Sequence, residues 1–287
     1  MIQEKYLNPY TDFGFKRLFG EEANKDLLIS FLNEILKGEC APIVNITYLK
    51  NEQLPSLEND RRAIFDLYCE DQSGDKFIVE MQKARQDYFK DRSLYYSTFP
   101  IQKQAAHGEW NFELKRVYMV AILDFIFSED KDETSKYIYR VKLSDIETSK
   151  VFYDKLTFVY LEMPKFTKTE DELETMTDKW LYVLRNISRL TDRPAKLQER
   201  VFEKFFRLAE ISKFTKDEFF NYEESLKVYR DMKNCLDSSF AKGKIEGRAE
   251  GRKEMAFDIA HEMKESGSDI NYIAKVTGLS EQDIKEL

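Results

Sequence analysis

The chain has 287 residues, 34% of them charged and 42% hydrophobic, with a formal net charge of −8. Its 22 Phe and 16 Tyr exclude an intrinsically disordered chain, which lacks the aromatics to offset the entropy of ordering; the acidic balance excludes holding nucleic acid by bulk charge but leaves room for a local basic groove. Cys40, Cys69 and Cys235 are far apart with no CxxC pair, which excludes a disulfide framework or thiolate zinc cage, and with neither an apolar leader nor a run of about 18 apolar residues a cytoplasmic, non-membrane protein is expected.

In chain order, Thr11 and Asp12 are helix-cap candidates ahead of Phe15, Leu18 and Phe19 at helical spacing. A second helix follows from the spacing of Leu27, Leu28, Phe31, Leu32 and Ile35, with Gly38 as its stop. The run APIVNITYL is β-rich, and RRAIFDLYCED followed by KFIVEMQKA predicts a hairpin around QSG. A long amphipathic stretch over 86–106, interrupted at Pro100, precedes the apolar strands RVYMVAILDFIF and LTFVYLEM. Together these predict an α/β fold with a mixed sheet core over residues 1–169. Beyond it, charged amphipathic segments over 170–240 read as a helical extension, and 241–287 as a helical tail punctuated by Gly243, Gly247 and Gly251. The tail ends in two helices across a TGLS turn, a helix-turn-helix look in which Ser280 caps the second helix.

The hairpin carries the candidate chemistry. Side chains alternate along a strand, so Phe77, Val79 and Met81 share one face and Ile78, Glu80 and Gln82 the other. In the preceding strand Ile64, Asp66 and Tyr68 share a face, with Phe65, Leu67 and Cys69 opposite. A loop of Gln72, Ser73 and Gly74 puts glycine at the left-handed position that a three-residue hairpin needs, and pairs Asp71 with Asp75. Counting outward sets Asp66 opposite Glu80. Side chains so opposed have Cβ atoms about 4.5 to 5.5 Å apart, and like charges there repel. Such a pair calls for a hard cation, Mg²⁺ or Mn²⁺, with Gln82 beside it to orient a water or bond a phosphate oxygen. That is the arrangement of metal-assisted phosphodiester hydrolysis. The same spacing equally describes two solvent-facing acids, each paired with an Arg or Lys, and periodicity leaves both readings open.

These residues resemble a known family, the Rpn (recombination-promoting nuclease, putative transposase) branch of the PD-(D/E)XK nuclease superfamily. The matching pieces are TDFGFKRLFG at 11–20, FDLYCED at 65–71, FIVEMQ at 77–82, DYFKDRSLYYS at 87–97, LEMPKF at 161–166 and the glycine-punctuated tail, in that order. The resemblance implies a restriction-endonuclease-like mixed β-sheet flanked by helices, with a helical C-terminal extension. It implies that Asp66 and Glu80 hold the metal and that Gln82 stands where the superfamily usually has Lys. A neutral amide positions water but does not stabilise developing phosphoryl charge as an ammonium does. Lys16 is the candidate to supply that charge; Lys83 points to the opposite face of a regular strand and would serve only across a bulge. Asp12 and Lys16 match the branch's DxxFK signature, and their spacing of four also lets them simply pair with each other. On the next helix Arg92 is placed to bind phosphate and Tyr96 to line the cleft, with core packing as the alternative for Tyr95 or Tyr96. His107 and His261 read as structural.

The function these readings imply is a Mg²⁺- or Mn²⁺-dependent DNA endonuclease associated with recombination or mobile elements; the alternative is a non-catalytic DNA-binding or protein-interaction module that keeps the nuclease fold. In the tail, residues 242–254 carry five basic and three acidic side chains, a mixed face that reads as a solvated helix. The last helix is short and net acidic, a poor major-groove reader, so packing or homo-oligomer formation through the tail is expected there.

Overall fold

The computed structural model describes residues 4–53, 63–105 and 111–287. The chain divides into two compact units, residues 1–230 and 231–287. His107 and the first two residues of the RRAIFDLYCED run lie outside the described residues.

In the first unit, α1 (Asp12–Phe19) begins where Thr11 accepts a hydrogen bond from the Gly14 amide, and buries Phe15, Leu18 and Phe19. Gly14 is obligatory here, because a Cβ on it would sit 2.3 Å from the Asn8 carbonyl oxygen. Helix α2 (Lys25–Ile35) buries the five apolar residues that predicted it. Next come β1 (Ile46–Tyr48), β2 (Glu52–Gln53), β3 (Ala63–Ile64), β4 (Leu67–Asp71) and β5 (Lys76–Gln82). Helix α3 (Phe89–Gln102) runs through Pro100 rather than stopping there. Strands β6 (Val117–Leu123), β7 (Ile138–Ser144) and β8 (Val151–Glu162) follow, then α4 (Met176–Asn186), α5 (Arg200–Ala209) and the start of α6 (Lys216–Glu265).

Six strands form one sheet in the order β1-β4-β5-β6-β8-β7; β2 and β3 make a separate two-stranded piece. Strand β5 is antiparallel to β4 and parallel to β6, which is parallel to β8. All seven residues of β6 are apolar and buried, as a strand covered on both faces by other layers requires. One face carries Phe77, Val79, Met81, Val120 and Ile122 against α1, α2, α4 and α5; Trp180 centres that layer, with its ring 5.0 Å from Phe202 and 5.8 Å from Phe31. The segment read as a helical extension thus supplies the middle of the first core. The other face carries Ile78, Met119 and Tyr160 beneath α3.

Two sequence expectations change. The run RRAIFDLYCED is not one strand: it breaks between β3 and β4, with Asp66 in a bend. Phe65 consequently does not share the Leu67 and Cys69 face but packs with Tyr68 (5.4 Å), Tyr96 (5.1 Å) and Phe99 (6.4 Å) on the α3 side. Strand β7, an edge strand that the sequence reading left unassigned, has only half-exposed and exposed residues in no strict alternation and so lacks an apolar face strong enough to announce itself.

Where β8 ends, Glu162 is buried with its carboxylate 2.7 Å from Lys165 Nζ, and its Oε1 accepts the Phe127 amide at 2.7 Å. Lys165 also donates to the Asp130 carbonyl and the Tyr139 hydroxyl, at 2.7 and 2.8 Å.

In the second unit α6 continues to Glu265, followed by α7 (Ile270–Thr277) and α8 (Glu281–Glu286). Asp269 caps α7, Gly278 ends it at φ +75° and Ser280 caps α8 in a reciprocal bond with Asp283. Ala260, Ile273 and Ile284 form its small core. Among the described residues no helix is long and apolar enough to cross a membrane.

Candidate active site

The β4–β5 hairpin has the register its loop predicts. The Asp71 amide donates to the Asp75 carbonyl, the Gly74 amide to the Asp71 carbonyl, and Gly74 takes φ +82°. Leu67 then lies opposite Val79 and Glu70 opposite Lys76, so the next step along places Asp66 against Glu80. At that point the β4 ladder has stopped and side chains take over from backbone. The Asp66 amide donates to Glu80 Oε1 at 3.1 Å, and Asp66 Oδ2 accepts the Met81 amide at 2.8 Å. Asn51 holds the bend from outside: its carbonyl accepts the Phe65 amide and its Nδ2 donates to the Asp66 carbonyl at 2.9 Å.

Glu80 has no solvent exposure, and Gln82 very little. Gln82 Nε2 donates to Glu80 Oε2 at 3.0 Å. Arg92, from the first turns of α3, reaches the same oxygen at 3.2 Å, donates to Gln86 Oε1 at 2.7 Å and stacks over the Tyr96 ring at 4.8 Å. Despite three donors, burial and the facing Asp66 push the Glu80 carboxyl up to about 8. Burial raises Asp66 as well, and the Asp12 charge adds to it, while the Met81 amide, Lys16 and Lys83 pull the other way. Two carboxylates raised by burial, one of them further by the other, are an excess of negative charge that a cation relieves.

Asp12 and Lys16 form an exposed pair at 2.9 Å on α1. They and Asp66 are the charges acting on Lys83, whose ammonium is lowered chiefly by burial. Lys83 does continue the Met81 face rather than the Glu80 face, as strand alternation dictates. The bend at Asp66 nonetheless brings an acid within reach of its field, a consequence invisible while 61–71 is read as one straight strand. The structure therefore gathers Asp66, Glu80, Gln82, Arg92 and Tyr96 into one contact network and sets Asp12, Lys16 and Lys83 around its Asp66 end. The Arg92 to Glu80 contact was not anticipated; Arg92 was read as a phosphate ligand alone.

A family model described as PD-(D/E)XK nuclease family transposase matches residues 9–239. The chain belongs to this family. A second model, the C-terminal HTH domain of the Rpn/YhgA-like nuclease family, matches residues 253–287. The mixed sheet with flanking helices is the restriction-endonuclease-like PD-(D/E)XK fold, and the end of α6 with α7 and α8 corresponds to the HTH. No curated protein and no solved structure matches the chain.

Nucleases of this kind typically use divalent metals. Among the described residues no group of three or more His, Cys, Asp or Glu side chains converges; the side chains here that could hold a metal are the Asp66 and Glu80 carboxylates and the Gln82 amide. Two carboxylates with room for waters and phosphate oxygens suit Mg²⁺ or Mn²⁺, which take one or two carboxylates; they do not suit Zn²⁺, which prefers a closed nitrogen and sulfur shell.

Proposed function

We propose that the chain is a Mg²⁺- or Mn²⁺-dependent DNA endonuclease whose metal is held by Asp66 and Glu80. The observation that carries this reading is a carboxylate pair, buried Glu80 and half-buried Asp66, aligned by the hairpin register, each raised by burial and Glu80 raised further by Asp66. Bound there, the metal supplies Lewis-acid polarisation of a phosphodiester and a water of lowered pKa. The chain's own side chains do the rest. Gln82 orients the attacking water through its amide, whose other end is fixed by Glu80. Arg92 holds a nonbridging phosphate oxygen with the guanidinium edge that now bonds Glu80 and Gln86, and Tyr96 supports it from below. Lys16, with Asp12 fixing its position, and Lys83 stand on the Asp66 side as cations available to developing phosphoryl charge. The HTH match supports a DNA contact in the second unit as well, although its short, net acidic last helix limits that contact to the phosphate backbone rather than base reading.

The test is supercoiled-plasmid nicking with and without Mg²⁺, on wild type and Asp66→Ala. Cleavage that needs the metal and drops at least about 100-fold in the variant supports the assignment; cleavage that survives unchanged places the chemistry elsewhere. A second reading, a non-catalytic DNA-binding module, is favoured by Gln82 in place of lysine, and complete inactivity with intact DNA binding would select it. Homo-oligomer formation through the tail belongs to the same proposal, since Phe240 and Met255 are exposed on α6 beside Gly243, Gly247 and Gly251. Solution mass before and after deleting 242–287 tests it.

A further inference from the structure

One side of α3 interleaves aromatic and basic residues at helical spacing: Tyr88, Arg92, Tyr95 and Tyr96, Phe99, Lys103. Its N-terminal end is fixed to the carboxylate site by the Arg92 to Glu80 bond. From there a series of ring contacts, buried in the core beneath α3, leads away. Arg92 lies over Tyr96, Tyr96 packs on Phe65 at 5.1 Å, and Phe65 on Tyr68 at 5.4 Å. Tyr68 in turn lines a concavity of about 570 Å³ at the other end of α3. Four lysines, Lys50, Lys76, Lys103 and Lys115, line it against two glutamates, Glu70 and Glu113. Glu70 is taken up by Lys76 and Glu113 lies 3.8 Å from Lys155. Lys103 and Lys115 are exposed and have no carboxylate partner among the described residues. In a chain of net charge −8 this is a local reversal of sign.

Above that core, on α3 itself, Tyr88 is 77% and Tyr95 40% exposed, the Tyr95 ring propped edge-on against Phe99. Large aromatic rings held at a surface next to lysines present π-faces as well as charge. A duplex keeps its base faces stacked on one another and has no use for them, whereas an unpaired strand offers both faces and phosphates. The twelve residues from Arg92 to Lys103 span about 16 Å of helix, enough for a few nucleotides.

We propose that this side of α3 and the lysine-lined concavity form a track for a single-stranded polynucleotide, with bases stacking on Tyr88 and Tyr95 and backbone phosphates held by Lys103 and Lys115. The substrate class is then unpaired DNA, as in a flap, bubble or displaced strand, delivered lengthwise to Glu80. This rests on the reading of Asp66 and Glu80 as the cleavage centre, but the track's binding role is measured without it.

The experiment is fluorescence anisotropy in EDTA, where no metal-dependent cleavage intrudes, with a labelled single-stranded 20-mer and the same oligonucleotide as a duplex. Three proteins are compared at several salt concentrations: wild type, the Tyr88→Ser and Tyr95→Ser double variant, and the Lys103→Glu and Lys115→Glu double variant. Circular dichroism melts confirm that these surface changes leave the fold intact. The expected result is single-strand binding at least about ten-fold tighter than duplex binding. The tyrosine variant should lose at least about 25-fold on the single strand with an unchanged salt slope, since stacking is worth a factor of about five or more per base and two rings are removed. The lysine variant should lose more than one unit of salt slope, two phosphate contacts at about 0.7 each. Equal or tighter duplex binding, or variants that bind the single strand like wild type, overturns the track. The outcomes separate from the cleavage test: metal-dependent nicking with no effect of these variants keeps the nuclease and removes the track, and single-strand binding that the variants weaken, in a protein that cleaves nothing, does the reverse.

Discussion

Among the described residues two glutamates have no solvent exposure, and their surroundings are opposite in kind. Glu162 meets one ammonium, Lys165, and a backbone amide, and Lys165 spends its remaining donors on Asp130 and Tyr139. Glu80 meets a guanidinium and an amide as well, but it also faces a second carboxylate, and it is pushed up to about 8. The first arrangement is closed, with each charge matched inside the fold. In the second, Glu80 has one guanidinium in contact and a second carboxylate facing it. Buried charge matched in this way serves the fold, whereas buried charge left in excess waits for something from outside.

The comparison breaks most sharply if Lys165 is removed. Lys165→Ala strands Glu162 without its cation and should cost about 3 to 5 kcal/mol, read by urea denaturation at pH 7. Glu80→Gln should do the reverse. Because the Glu80 carboxyl is raised above its unfolded value, its contribution to stability is complete below about pH 4.5 and lost as pH climbs through about 8. The neutral variant should therefore be more stable than wild type by about 2 kcal/mol at pH 9, with the gain vanishing near pH 4, while nicking falls at least about 100-fold. A variant that is less stable at pH 9 would show that Glu80 is satisfied as Glu162 is. Next in size is metal affinity. Calorimetric Mn²⁺ binding should tighten about ten-fold between pH 6.5 and 8 as the pair gives up its proton; a flat profile would place the ion elsewhere. Smallest is Arg92→Ala, which removes one of the three donors holding Glu80 ionised. It should cost about 1 kcal/mol at pH 8 and move the Mn²⁺ profile to higher pH.

The register of the β4–β5 hairpin was legible because three local signals agree: alternation in KFIVEMQ, a glycine that needs φ > 0, and a loop length that admits one pairing. The first core was legible in part, since the apolar spacing of α1 and α2 names their buried residues. That α4 and α5 complete this core was not, because an amphipathic helix says that it buries a face without saying against what. The bend at Asp66 left no trace in the pattern of FDLYCED; it depends on Asn51, fifteen residues upstream, holding the Asp66 carbonyl. Nor could spacing tell that Arg92 would turn inward to Glu80, since the distance across the gap between helix and sheet is set by packing alone. The motif LEMPKF marked Glu162 and Lys165 without disclosing that they pair, although a spacing of three on a tight helical turn was the available signal.

The hairpin loop has a consequence for how this site can be altered. Gly74 lies six residues from Glu80, about 20 Å along the strand, and touches nothing in the carboxylate cluster; yet the length of the loop it closes determines which residue of one strand meets which of the other. A single amino acid inserted between Gln72 and Gly74 would slide one strand past its neighbour, leaving Asp66 and Glu80 chemically intact and misaligned. Loop length here acts as a calibration setting, and a lineage could silence or restore the centre by changing that setting while every acid stays in place.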